Sequence, residues 1–288
     1  MRVEAQRIDP AEFREGQRKQ WNQAASGWSK WSQLIDQSAS PISERLVELA
    51  GVEPGSRVLD VACGYGEPAL TAARAAGPDG SVVATDISAE MLAFGRERAS
   101  AAGLENVEFV ESGADGLEFA GQSFDAAVSR WGIIFEPDGE AAAGRVREFL
   151  KPGARMAISS WGEPERVPFL SIPMRTAMQR LDVPPPPPGT PGPLSRPTHD
   201  AIAGLLSGGG FSEVDVEETE VSFEWDSPED FTRFLKEIAP PLTAMIDPHP
   251  PEVQQATWTA IEDAIREQIG GDGPVRLTNL VLIAVGRA

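Results

Sequence analysis

The stretch Arg57-Val-Leu-Asp-Val-Ala-Cys-Gly-Tyr-Gly-Glu-Pro-Ala-Leu70 runs an apolar segment through a carboxylate into a glycine turn. Val58, Leu59 and Val61 read as a buried strand, and Pro68, Ala69, Leu70 and Ala72 as the helix that follows. Gly64 and Gly66 make the turn between them and let the backbone come close to a ligand. Gly64-x-Gly66-x-x-Ala69 also satisfies a dinucleotide fingerprint, so the glycines alone leave two ligands open. Charge separates them. Asp60, read at a strand end facing the same crevice, would repel a diphosphate and attract an ammonium. S-adenosylmethionine carries an ammonium and a sulfonium and no phosphate, which suits this loop better than a nicotinamide dinucleotide.

A second apolar strand, Ser81-Val-Val-Ala-Thr-Asp86, also ends in a carboxylate. An acid there can accept both hydroxyls of a ribose. Ser88 stands where the cap of the next helix belongs, which leaves Asp86 for the ligand. Cys63, the single cysteine, excludes an intramolecular disulfide framework and a multi-cysteine metal site. Within the glycine loop it reads as a small spacer whose backbone binds. No metal is expected.

These segments resemble the class I S-adenosylmethionine-dependent methyltransferases, of the ubiquinone/menaquinone-biosynthesis-like branch (methyltransferase type 11 group). The resemblance covers about residues 20 to 165. It rests on Trp21-Asn-Gln-Ala-Ala-Ser-Gly-Trp28, VLDVACGYG, VVATDIS, VEFVESGADGLEF, FDAAVSRWGIIFEPD and LKPGARMAISSWG. It implies S-adenosyl-L-methionine as cofactor and S-adenosyl-L-homocysteine as product. Asp60 with Ala62, Cys63, Gly64 and Gly66 would hold the methionine moiety, Asp86 the ribose, and Ile87 and Met91 the adenine. Gly113 stands where the family usually has an aspartate, so the backbone of Ala114 and the side chain of Asp115 are the expected substitutes. Ser129, Arg130 and Trp131 match the segment beneath the sulfonium that opens to the acceptor. The family also implies an antiparallel last strand in a seven-stranded sheet.

Methyl transfer from a sulfonium is an in-line displacement that needs alignment and exclusion of water more than acid or base. Where a base is used, Glu136 is a candidate, because its strand-end segment should face the cofactor, and His249 is another. Arg130 could orient an anionic acceptor or pair with Glu136. His199, the other histidine, reads as a surface residue. Seven tryptophans against one tyrosine are the remaining clue. Aromatic faces suit a sulfonium and a flat apolar acceptor. Trp28 reads as a gate over the cofactor, Trp31, Trp131, Phe135, Trp161 and Trp225 as acceptor-pocket candidates, and Trp21 and Trp258 as core.

A formal net charge of −19 argues against wrapping nucleic acid and against an anionic membrane surface. The amino-terminal ten residues lack a signal-peptide core, and no run of eighteen apolar residues occurs, so a cytoplasmic enzyme with a small-molecule methyl acceptor is expected. A nicotinamide-dependent oxidoreductase and a non-catalytic S-adenosylmethionine-binding protein are the alternatives. Against the oxidoreductase stands the absence of a Tyr-x-x-x-Lys or similar constellation.

Strand patterns near 57–62, 81–86, 106–111, 124–129 and 154–160 alternate with helices near 68–76, 88–102 and 138–150. Such alternation demands right-handed crossovers and a mostly parallel, Rossmann-like α/β sheet covered on both faces. Four regions follow. Residues 1–40 form a helical segment closing over the cofactor, and 41–162 the cofactor-binding core, entered by a helix over 42–50 that Ser40-Pro41 starts. Residues 163–210 form a proline-rich insert, whose run from Pro184 to Pro193 reads as a stiff strut, followed by a helix. Residues 211–288 supply the last strands of the core, with a helical lid inserted at 226–275.

Overall fold

The computed structural model describes residues 10–187 and 189–288. The amino-terminal residues before Pro10 and Pro188 of the proline run lie outside the described residues.

The chain begins with α1 (Pro10–Lys30) and α2 (Ser32–Ala50). It then alternates through β1 (Arg57–Val61), α3 (Ala69–Ala76), β2 (Ser81–Asp86), α4 (Ala89–Ala101), β3 (Val107–Glu111), β4 (Phe124–Arg130), α5 (Gly139–Phe149) and β5 (Leu150–Trp161). After it come α6 (Pro168–Leu181), α7 (His199–Gly208), β6 (Ser212–Trp225), α8 (Pro228–Ile238), α9 (Pro240–Ile246), α10 (Pro251–Ile269) and β7 (Val275–Arg287). The strands form one seven-stranded sheet in the order β3-β2-β1-β4-β5-β7-β6. β1 to β5 pair in parallel, and β7 runs antiparallel between β5 and β6. This is the Rossmann-like sheet with an antiparallel last strand that the sequence implied, with extra helices added.

β1 and β2 read as near-continuous apolar runs because the sheet is covered on both faces, and four of the five β1 residues are buried. The chain builds outward from β1 in one direction through β2 and β3, then returns to lay β4 and β5 on the other side. Helices after β1 and β4 therefore diverge, and a crevice opens at the carboxyl ends of those two strands. The hydroxyl of Ser129 fastens them there, donating to the carbonyl of Val61 (2.7 Å) and accepting from the amide of Ile133 (3.0 Å).

Two local expectations are corrected. Ser40-Pro41 does not start a helix, because α2 runs from Ser32 through Pro41. Its buried stripe of Ile35, Ala39, Ile42, Leu46 and Val47 continues on both sides of the proline, and packing of that stripe overrides the local start signal. The stretch after Trp161 likewise holds a helix, α6, with Pro168 in its first turn and Pro173 inside it. Pro168 is tolerated where the N–H has no intrahelical partner. Asn279, buried in β7, accepts the amide of Phe169 (2.9 Å) and so fastens the start of α6 to the sheet. Residues 183–187 and 189–198 contain no helix or strand. Their end is anchored at the crevice rim, where Ile134 C=O accepts from Gly192 N–H (3.3 Å) and Ser195 Oγ (2.9 Å).

Helix α1 closes the crevice by lying against α8. An ideal Cβ on Gly27 would stand 2.1 Å from the carbonyl oxygen of Glu237, so only glycine permits this approach. Gly16, in the same helix, faces open space. Gly27→Ala is expected to lower stability by about 1–3 kcal/mol through overpacking. Gly16→Ala is expected to raise it by up to ~1 kcal/mol through helix propensity. Urea midpoints of the two variants that shift in the same direction would refute this account of the α1–α8 contact.

Candidate active site

An elongated cavity of about 1500 Å³, mouth included, lies over the carboxyl ends of β1, β2, β4 and β5. Its floor at one end is the loop after β1. Ala62 (φ 57°) and Gly64 (φ 55°) both adopt left-handed backbone, turning the chain sharply out of the strand. A Cβ on Gly64 would meet nothing within 4 Å, so that glycine serves conformation and leaves space above it. Gly66 (φ 113°) has another duty. A Cβ there would press on Leu70 at 3.3 Å and the Gly95 backbone at 3.4 Å, so it permits α3 and α4 to approach the loop.

Asp86 holds this floor in shape. One oxygen accepts from Gly64 N–H (2.8 Å) and the other from Ser88 N–H (2.9 Å), while Ser88 caps α4 by accepting from Met91 N–H (3.1 Å). Asp86 is thus not free, as the sequence implied. It is already bound to two backbone amides while it lines the cavity, and each oxygen keeps a further lone pair. Burial pushes its carboxyl up to about 6, against the pull of those amides.

Asp60 takes a different position from the one the sequence suggested. It is 0% exposed, does not line the cavity, and neither oxygen has a hydrogen-bond partner. Burial raises its carboxyl well above the usual range, against the opposing pull of the Ala69 amide and the Arg130 charge. The acids that do face the cavity are Asp86, Glu67 and Glu136. Glu136 accepts from Ala114 N–H (3.2 Å), and its carboxyl is raised by burial. It therefore sits beside Ala114, and among the described residues it makes no ion pair with Arg130.

Trp28, Ala62, Cys63, Ile87, Met91, Gly113, Ala114, Arg130, Trp131, Phe135 and Trp161 also line the cavity. Cys63 is buried with its thiol pushed up by desolvation, consistent with a spacer. Gly66, Asp115 and Ser129 stand behind the lining, and Asp115 forms an exposed ion pair with Arg14 (2.7 Å). Trp31, Trp225 and His249 are not brought to the cavity. Trp31 packs on Phe234 and donates to Glu237 (2.6 Å), and Trp225 is buried among Phe169, Phe223, Phe231 and Phe234. His249 lies in the turn between α9 and α10, and its carbonyl accepts from Gln254. His199, exposed at the start of α7, lies 3.8 Å from Glu218.

Several lining residues went unread in the sequence. Trp21, taken there as core, lines the cavity with its ring 5.4 Å from that of Phe135. Trp258 is core, as expected. Tyr65 sits in the glycine loop itself and packs against Trp28 at 5.6 Å. Phe169, Phe223 and Phe234 enter from α6, β6 and α8, separated in sequence from the loop and carrying no motif. With them Trp131 and Trp161, stacked at 4.3 Å and 7°, make the far end of the cavity an aromatic chamber. No group of three or more metal-ligating side chains forms among the described residues, and no helix among them is long and apolar enough to cross a membrane.

This sheet order, with an acid-ended β2 beside a glycine loop, is the arrangement that the resemblance to class I S-adenosylmethionine-dependent methyltransferases implied. Residues 58–153 match a family model described as a methyltransferase domain. An uncharacterized protein of Mycobacterium tuberculosis is 36% identical over 128 residues, 44% of this chain and 45% of that one. A ubiquinone/menaquinone biosynthesis C-methyltransferase of Pseudomonas putida is 39% identical over 119 residues, 41% of this chain and 46% of that one. The chain thus matches about half the length of these curated relatives. In fold it is similar to a phosphoethanolamine N-methyltransferase of Haemonchus contortus solved with S-adenosylhomocysteine, with a TM-score of 0.57, 18% identity, and coverage of 95% of this chain and 59% of that one.

Asp86 also makes a prediction about stability. Its folded value near 6 lies above the 3.8 of a free carboxyl, so between those values the folded state binds a proton that the unfolded chain has released. Its contribution is complete at low pH and is lost as pH rises toward 6, a change of about 3 kcal/mol at most. Asp86→Asn is expected to flatten the fall in stability between pH 4 and 6. Identical pH slopes for variant and wild type in urea titrations would contradict it.

Proposed function

We propose that the protein transfers a methyl group from S-adenosylmethionine to a small apolar or aromatic acceptor by in-line displacement. The observation that carries this reading is the division of the cavity into a carboxylate-bearing end on the glycine loop and an aromatic end with no titratable base. A diphosphate would meet Asp86, Glu67 and Glu136 with Arg130 as the one Lys or Arg among the lining residues. A ligand with an ammonium, a ribose and no phosphate fits that charge. When bound, the cofactor would supply an electrophilic methyl on a sulfonium.

The chain's own groups then have separable tasks. Asp86 accepts the ribose hydroxyls on the lone pairs left by Gly64 and Ser88. The backbone around Ala62, Cys63 and Gly64 holds the methionine moiety. Ile87 and Met91 flank the adenine, and the Ala114 amide with the Glu136 carboxyl meets its edge in place of the aspartate absent at Gly113. The Ala114 contact of Glu136 supports this role over that of a base. Trp131, Trp161 and the phenylalanines of α6, β6 and α8 present flat apolar surface to the acceptor and exclude water, which raises the effective molarity of the aligned pair. Trp28 closes the roof, its indole donating to the carbonyl of Ile238 (2.9 Å).

Isothermal calorimetry tests the cofactor. S-adenosylhomocysteine is expected to bind in the micromolar range, with binding lost in Asp86→Ala and largely retained in Trp161→Ala. Tight NADH binding in its place would overturn the reading. A methyl-transfer screen across quinols, phenols, amines and thiols identifies the acceptor. Trp161→Ala should raise KM for an aromatic acceptor by about tenfold, from the 1–2 kcal/mol of a lost stacking face.

A further inference from the structure

Among the described residues, Arg130 is the one cation lining the cavity, 7% exposed at the carboxyl end of β4. Its Nη1 donates to the hydroxyl of Ser43 (2.9 Å) and its Nη2 makes a long contact with the hydroxyl of Tyr65 (3.4 Å). The guanidinium lies 5.4 Å from the ring centroid of Trp131. Both hydrogen-bond partners are neutral, and most of the fork's N–H donors have no protein acceptor. The nearby acids are engaged elsewhere. Asp36 pairs with Arg98 and accepts from Tyr65 Oη (2.8 Å). Glu67 accepts from Thr71 (2.7 Å) and faces Arg74 and Arg98, and Glu136 is held at Ala114. Asp60 feels the charge of Arg130 but makes no ion pair with it within 4 Å.

A guanidinium withdrawn from water without a counter-ion costs several kcal/mol, and a planar fork lining a cavity is shaped for a carboxylate. We propose that Arg130 is the anion-receiving group of this cavity, and that a carboxylate of the bound ligand completes its pairing. The methionine moiety of the donor carries such a group, and an apolar acid serving as acceptor would carry one too. In the second case the acceptor arrives as an oxyanion nucleophile, and the absence of His, Asp and Glu from the aromatic end is consistent with a transfer that needs no base. Both sources rest on the methyl-donor reading, whereas Arg130 as an anion site does not.

Calorimetry on the full chain separates the outcomes. The probes are S-adenosylhomocysteine against its decarboxylated form, and 4-phenylbutyrate against 4-phenylbutanol, each with wild type, Arg130→Met and Arg130→Lys. Wild type is expected to prefer the acid of at least one pair by about thirtyfold or more, the usual effect of a buried charge partner. Arg130→Met should abolish that preference and Arg130→Lys should keep part of it. A preference in the first pair assigns the anion to the donor, and one in the second pair alone assigns it to the acceptor. Equal affinities within both pairs in wild type overturn the proposal even if Arg130→Met does not fold. So does a preference that Arg130→Met leaves intact. No binding of S-adenosylhomocysteine to wild type would instead sink the methyl-donor reading and leave the phenylbutyrate pair to judge Arg130.

Discussion

The carboxylate of Asp86 accepts the amides of Gly64 and Ser88, and those two bonds tie the loop after β1 to the helix after β2. Everything at the carboxylate-bearing end of the cavity is positioned from that clamp. It holds Gly64 in the left-handed turn that opens the floor, and sets the first turn of α4, whose Met91 lines the same space. Burying the carboxyl raises it to about 6, so the fold accepts an electrostatic cost at neutral pH to keep acceptor lone pairs pre-oriented. The Ser129 hydroxyl does the corresponding work between β1 and β4, and neither residue is replaceable by an apolar one without freeing a buried backbone group.

The aromatic end is assembled differently. Its walls come from α6, which precedes the proline run in sequence, and from β6 and the α8–α9 stretch, which follow it and fold back over the sheet rim. The roof is completed by α1 from the opposite end of the chain. Trp28 is pinned to Ile238, while Lys30 (2.7 Å) and Trp31 (2.6 Å) both bind Glu237. Two distant segments thus meet at one short stretch around Gly27, where a single methyl group would separate them. These added segments lie outside residues 58–153, the part that matches the methyltransferase domain.

The strands of the core were legible because a strand buried on both faces is a near-continuous apolar run, as in Val82–Ala84 and in Val58, Leu59 and Val61 around Asp60. The cap at Ser88 was legible because a helix start is a local event, and its side chain accepts the Met91 amide. Local signals misled where tertiary packing outweighed them. Ser40-Pro41 has the chemistry of a helix start, yet the stripe from Ile35 to Val47 must be buried as one face and carries α2 through it. Asp60 was read as facing the crevice. The left-handed turn at Ala62 lifts the loop over it and leaves it fully buried, so the charge that disfavours a diphosphate comes from Asp86, Glu67 and Glu136.

Sequence by itself determined the period of the strands and helices, the glycine turn, and the presence of an acid at the end of β2, because these depend on residues adjacent along the chain. Tertiary structure alone decided which tryptophans reach the cavity, that Trp21 does and Trp31 and Trp225 do not, and that Glu136 lies against Ala114 while Arg130 is left without a carboxylate partner. Those outcomes depend on how α1, α6 and α8 pack across the sheet rim. Contacts between residues 22 positions apart, as in Glu136–Ala114, or 87 apart, as in Arg130–Ser43, leave no periodic trace in the sequence.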